Sequence, residues 1–182
     1  MLVLKTPIPQ KFFSPDSRFS IIRIMERSEP STVAASTLVI VSGYFNPLHG
    51  GHLDMIEAAS DMGDKLIVVV NNDRQQLLKK GTIILDESNR VRLIKSLRIV
   101  DEVVLSIDED PTIVRTLEKI AEQNLDKEII FANGGDRDTS KEVPETSVCR
   151  KYNIKMVFDA GGKKYDSSTR INLAVDKASR MV

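Results

Sequence analysis

The chain is 182 residues long, about one average domain of roughly 150 residues with some thirty left over. Its 26 Lys and Arg are balanced by 26 Asp and Glu, which argues against a broadly basic nucleic-acid surface and leaves only local patches open. The single cysteine, Cys149, excludes an intrachain disulfide framework and a cysteine-built zinc site and fits a reducing, cytoplasmic setting. The longest purely apolar runs, such as Leu66 to Val70, fall far short of the roughly twenty residues a membrane span needs. At 41% hydrophobic and 29% charged, the composition is that of a globular domain that folds without covalent staples.

Residues 1–37 read as an extension, with Pro7, Pro9, Pro15 and Pro30, scattered Ser and Thr, and no sustained period. Lys11, Arg18, Arg23 and Arg27 among Ser and Phe have the flavour of a targeting segment, but Asp16, Glu26 and the poor amphipathic pattern weigh against one. Met25 is a second candidate start. The folded domain is expected over 38–182.

From Leu38 the pattern becomes regular. Leu38 to Val41 predicts a strand, Leu53, Ile56 and Ala59 a helix, and Leu66 to Val70 a second strand. A helix opened by Asp86 and carrying Val91, Ile94 and Leu97 follows, then a strand at Val103 to Ile107. Asp110 as cap and Pro111 at the first position predict the next helix, with Ile113, Leu117 and Ile120 facing the core. A strand at Ile129 to Ala132, a short helix after Pro144, a strand at Lys155 to Phe158 and a helix from near Ser168 complete the series. Strands that are apolar throughout are buried on both faces, so the expectation is an α/β, doubly wound, Rossmann-like parallel sheet of about five strands. Ligands bind such sheets beyond the carboxyl ends of the strands, here after Val41, Val70, Ala132 and Phe158.

The segment after the first strand reads Gly43-Tyr44-Phe45-Asn46-Pro47-Leu48-His49-Gly50-Gly51-His52. Two histidines therefore stand at the mouth of a helix, where backbone N–H groups and the helix dipole favour an anion and glycines allow close approach of a phosphate. A glycine-rich loop with two incidental histidines is the plainer alternative. A zinc pair is disfavoured, because no third Cys or His is available.

This stretch is similar to the G-x-F-x-x-x-H-x-G-H signature of the cytidylyltransferase-like nucleotidyltransferases, the family that includes glycerol-3-phosphate cytidylyltransferase and the heptose-1-phosphate adenylyltransferase domain. The resemblance extends over about residues 38–175, through Gly63-Asp64-Lys65, Asn72-Asp73, Lys80-Gly81, Asn89-Arg90, Val100-Asp101-Glu102-Val103-Val104, Gly134-Gly135-Asp136 and Ser167-Ser168-Thr169, in the family's order. P-loop and G-x-G-x-x-G motifs are absent.

The resemblance implies attack of a phosphate oxygen of a small phosphorylated acceptor on the α-phosphorus of a nucleoside triphosphate, CTP first and ATP second, with release of pyrophosphate and no covalent enzyme intermediate. His49 and His52 would contact the triphosphate; Gly43, Tyr44, Phe45 and Gly51 would line the nucleotide with them. Gly134 and Asp136 match a loop near base and ribose, with a tight glycine turn as the plainer alternative. Ser167, Ser168 and Thr169 match residues that hold the outer phosphates, and N-capping is their ordinary role. The arginine that precedes them in the cytidylyltransferase form is missing, and Lys163, Lys164 or Arg170 would supply its charge. Lys80 matches a lysine for the acceptor phosphate, or is a solvated helix end. Arg90 would reach either phosphate, or is an exposed helix-face charge. Mg²⁺ would arrive on the triphosphate, with no direct protein ligand, and a homodimer is compatible with the family. Cys149 reads as a small core residue. Two rivals stand beside catalysis: a non-catalytic nucleotide-binding module on the same fold, and a regulatory protein that binds a sugar or lipid phosphate.

Overall fold

The β-branched, apolar runs pair into one parallel sheet. A computed structural model describes residues 35–134, 143–161 and 171, and its strands are β1 (Thr37–Gly43), β2 (Lys65–Val70), β3 (Glu102–Leu105), β4 (Glu128–Gly134) and β5 (Lys155–Ala160). They lie in the order β3-β2-β1-β4-β5, all parallel. The chain runs outward one way from β1 to β2 and β3, then crosses back to β4 and β5, so the topological switch point falls between β1 and β4. There Val41 is in register with Ala132, which brings the loop after β1 level with the end of β4. β1 starts at Thr37, one residue before the expected domain limit, and the rest of the expected extension, up to residue 34, lies outside the described residues.

The helices are α1 (Gly50–Ser60), α2 (Asp73–Lys80), α3 (Glu87–Lys95), α4 (Val114–Glu122) and α5 (Thr146–Lys151). Alternation along the strands divides the core in two. Leu38, Ile40, Ile67, Val69, Ile129 and Phe131 face Ile113, Leu117, Ile120 and Val148 of the α4/α5 side. Val39, Val41, Leu66, Val68 and Ala132 face Met55, Ile56, Ala59 and Ile94 of the α1/α3 side. Each fully buried aliphatic side chain of this kind stabilises the fold by roughly 1.5–3 kcal/mol, so these two layers fix the strand positions on which the site depends.

Three expectations are corrected. β3 ends at Leu105 rather than Ile107, because the Ser106 side chain turns to a buried polar cluster and Ile107 is exposed. The helix expected from Pro111 begins at Val114: Asp110 bonds the backbone and hydroxyl of Thr112 in a local turn. α2 was expected only in the alternative that made Lys80 a helix end; it runs over Asp73–Lys80. The helix expected from Ser168 lies outside the described residues apart from Ile171.

Cys149 is buried against the α4/α5 core, as expected of a small apolar residue. Burial, with the Glu145 carboxylate adding to it, pushes its thiol up to about 11, so it stays protonated at neutral pH and is no nucleophile. A thiol reagent at pH 8 should label the native protein far more slowly than the denatured chain; equal rates would contradict this burial.

Candidate active site

The carboxyl ends of the strands are tied together by buried polar side chains rather than by apolar contacts. Asn72 caps α2 in a reciprocal capping box with Gln75, and its Nδ2 donates to the carbonyls of Ser106 and Asp108. Gln75, itself fully buried, donates to the carbonyls of Asp110 and Thr112. The loop after β2 is thus fixed to the loop after β3. Asp108 closes β3 onto α4, accepting from the N–H groups of Arg115 at 2.7 Å and Thr116 at 3.0 Å. On the α4/α5 face, Glu145 Oε1 accepts from Ile113 N–H at 3.1 Å.

On this rim sits the loop from β1 to α1. Gly43 ends the strand, and a Cβ there would come within 2.8 Å of the Phe45 ring; the absence of one lets that ring fold back, 1% exposed, against the strand end. Phe45 meets His52 edge-on, with centroids 4.9 Å apart. His52 in turn stacks on His49 at 3.7 Å and 23°. His49 occupies the N-cap position of α1, yet its side chain makes no capping bond, and the first turn carries no acidic residue. Two imidazoles are therefore gathered at a helix N-terminus whose positive end no carboxylate of its own first turn offsets, an arrangement suited to phosphate oxygens. Gly51 is buried beneath them, and around Gly50 the space is open. The Asn46–Pro47 peptide bond in this loop is cis.

Gly134 reaches the same site from β4: a Cβ on it would lie 2.5 Å from the Met55 sulfur of α1. The structure thus brings together Gly43, Tyr44, Phe45, His49, Gly51, His52 and Gly134. Lys80 stands apart, exposed as the last residue of α2 with Gly81 in a left-handed C-cap at φ 73°. The connector after it is held to α2 by Gln76 Nε2 donating to Thr82 O at 3.0 Å and returns to the histidine loop at Leu85, whose N–H donates to Asn46 Oδ1 at 2.9 Å. Asp136, Lys163, Lys164, Ser167, Ser168, Thr169 and Arg170 lie outside the described residues.

Arg90 is not an exposed charge, and most of its donors are committed to the protein rather than left open to a phosphate. Its side chain is 0% exposed, and four of its five donors are taken up by the chain: Nε by Leu85 O at 3.0 Å, Nη1 by Tyr44 O at 2.7 Å and Asn71 O at 2.6 Å, and Nη2 by Asp73 Oδ1 at 2.6 Å. A phosphate would have to displace these bonds. Asn46, to which the sequence pattern gave no role of its own, is 2% exposed and belongs to the same network. Among the described residues no group of three His, Cys, Asp or Glu side chains could hold a metal ion, and no helix is long and apolar enough to cross a membrane.

Residues 40–172 match the model of the cytidylyltransferase-like family, and the chain belongs to that family of nucleotidyltransferases. It is 34% identical over 124 residues to the bifunctional protein HldE of Gluconobacter oxydans, covering 66% of this chain and 24% of that protein. It is 33% identical over 104 residues to the FAD synthase of Ferroglobus placidus, covering 57% and 62%. This chain therefore matches about a quarter of the HldE relative's length. Among solved structures, the lipopolysaccharide core biosynthesis protein of Thermoplasma volcanium superposes with a TM-score of 0.54 at 28% identity, over 72% of this chain and 99% of that one.

Proposed function

We propose that the protein transfers a nucleotidyl group, CMP or AMP, from CTP or ATP to a small phosphorylated acceptor with release of pyrophosphate. The observation that carries this reading is the stacked pair of His49 and His52 at the N-terminus of α1, over the switch point of the sheet. In-line attack of one phosphate oxygen on another phosphorus needs little from a protein beyond alignment and neutralisation of charge. The two imidazoles and the first-turn N–H groups of α1 are donors already in position for that task.

Mg²⁺ is proposed to ride on the triphosphate, where it would offset phosphate charge; the imidazoles, gathered without a carboxylate cluster among the described residues, suit phosphate oxygens better than a hard cation. Nucleotide selection is assigned to Gly134 and Asp136, and the grip on the outer phosphates to Ser167, Ser168 and Thr169, with Arg170 beside them.

Lys80 is proposed to take the acceptor's phosphate. A charge-assisted contact of this kind contributes roughly 1.5–3 kcal/mol, or about 10- to 150-fold in binding. Lys80→Ala is therefore expected to raise the acceptor KM by that factor and to leave nucleotide affinity unchanged. Calorimetric titration of CTP and ATP checks it: a large loss of nucleotide affinity would move Lys80 to the triphosphate, and no change in any constant would return it to a solvated helix end.

The reading as a whole is tested by incubating the protein with Mg²⁺, CTP or ATP and a panel of phosphorylated alcohols and sugars, following pyrophosphate. Release that depends on one nucleotide and one acceptor supports it. Nucleotide binding without release for any acceptor would instead make the protein a non-catalytic nucleotide-binding module.

A further inference from the structure

Arg90 and Asn46 grip the same residue from opposite sides. Leu85 donates its N–H to Asn46 Oδ1 at 2.9 Å and accepts from Arg90 Nε at 3.0 Å through its carbonyl. Asn46 lies three residues before His49 in the histidine loop, and Leu85 ends the connector that follows Lys80. Arg90 then extends this link by binding Tyr44 O of the same loop and Asn71 O at the end of β2. Asn71 N–H donates in turn to Gly43 O at 3.0 Å. A full guanidinium is needed for this, since one planar group with five donors serves carbonyls from three segments and the Asp73 carboxylate at once, whereas an ammonium is a single point with three donors.

We infer that Arg90 is a positioning residue, which with Asn46 holds the histidine loop and the connector after Lys80 in one fixed relation. This rests on the reading that the first binds the nucleotide and the second the acceptor. Side chains that touch neither substrate then set the separation of the two reacting phosphates, and an error of about 1 Å in such a separation costs on the order of 10²-fold in rate. Burial of the guanidinium is the reason it can do so: with no water to exchange for, its bonds to Tyr44, Asn71 and Leu85 are not traded for solvent contacts.

The test uses the full chain carrying Arg90→Lys. Its turnover should fall about 10- to 100-fold, with nucleotide dissociation constants within about threefold of the parent. In Arg90→Ala, millimolar guanidinium ion should restore part of that turnover, whereas a role in stability alone would show wild-type turnover per folded molecule below the melting transition and no rescue. Hydrogen exchange read by mass spectrometry gives a measurement independent of chemistry: amides of 44–49 and of 82–86 should both exchange faster in Arg90→Lys, while those of 128–134 are unchanged. A folded Arg90→Lys protein with parental turnover, or with exchange altered in one segment only, overturns the inference. If neither Arg90 variant folds, Asn46→Ala carries the test with the same expected split, and unchanged turnover in it is equally decisive. Absence of pyrophosphate release from the parent protein would count against the proposed reaction, and the exchange measurement would still decide whether Arg90 couples the two segments.

Discussion

Replacing His52 with Ala is expected to lower turnover by roughly 10²- to 10³-fold, the usual loss when one preorganised donor is removed from a site of charge development. The fold should survive. His52 is only partly buried at the third position of α1, and that helix is anchored by Met55, Ile56 and Ala59 further along. Nucleotide affinity should change less than turnover, because a donor whose bond strengthens as charge builds on the phosphate contributes more to the transition state than to the bound substrate. His49→Ala should behave alike. Since the two rings stack on one another, losing one misplaces the other, and the double variant should cost less than the product of the single losses. Steady-state turnover, with circular dichroism to verify folding, is the measurement; a His52→Ala protein with unchanged kcat refutes the assignment.

The largest loss of stability from a single change at the rim is expected at Asp108. Its carboxylate is 2% exposed and takes bonds from two backbone N–H groups of α4, from Ser106 Oγ at 3.2 Å and from Thr116 Oγ1. The residue at the N-cap position of that helix, Ile113, has no side chain able to cap, so Asp108 does this work from five residues upstream. In Asp108→Ala the Thr116 groups and Ser106 Oγ stay buried without their acceptor, at about 1–3 kcal/mol for each that finds no substitute. A net cost of about 2–4 kcal/mol follows, or roughly 5–15 °C in Tm for a domain of this size. Asp108→Asn keeps one acceptor oxygen and should lose about half as much. Thermal unfolding of the two variants gives the answer, and a shift below about 2 °C for Asp108→Ala would mean that solvent replaces the cap.

The sheet was legible because its strands are apolar on both faces, a pattern that survives without any knowledge of the turns. α2 was not, because its sequence Asp73-Arg74-Gln75-Gln76-Leu77-Leu78-Lys79-Lys80 inverts the rule on which periodicity depends: Gln75 and Gln76 are buried while Leu77 and Leu78 are about half exposed. Its marks were local ones, the Asn72…Gln75 capping box, lysines in the last turn and Gly81 after them. Asp110 misled for a related reason. An aspartate before a proline satisfies the cap rule, yet the same carboxylate can bond two residues on, and here it does. Arg90 carried a usable signal, since it lies four residues before Ile94 and hence on the core face of α3. Its charge suggested solvent or phosphate, and its burial is explained by the Asp73 carboxylate and the nearby Leu85 carbonyl together with the Tyr44 and Asn71 carbonyls from distant parts of the chain. The histidine loop was readable as a unit because its residues are contiguous, whereas the link between Lys80 and that loop depends on Leu85 and Asn46, thirty-nine positions apart.

The glycines behind α1 bear on how the site can respond to a ligand. Gly161, at φ 88°, passes so close that a Cβ would stand 2.7 Å from Met55 N and 2.8 Å from the Asp54 carbonyl carbon, both backbone atoms, while Gly134 lies against the Met55 side chain. The first turns of α1 thus rest on two strand ends with no slack between them. A helix backed in this way behaves as an anvil with little room to recoil, so under the proposed reading the adjustment to substrates of different size should fall to the segment carrying Lys80. Tolerance for new acceptors should accordingly be sought in changes to residues 77–85, and changes at Gly134 or Gly161 should spoil every substrate alike.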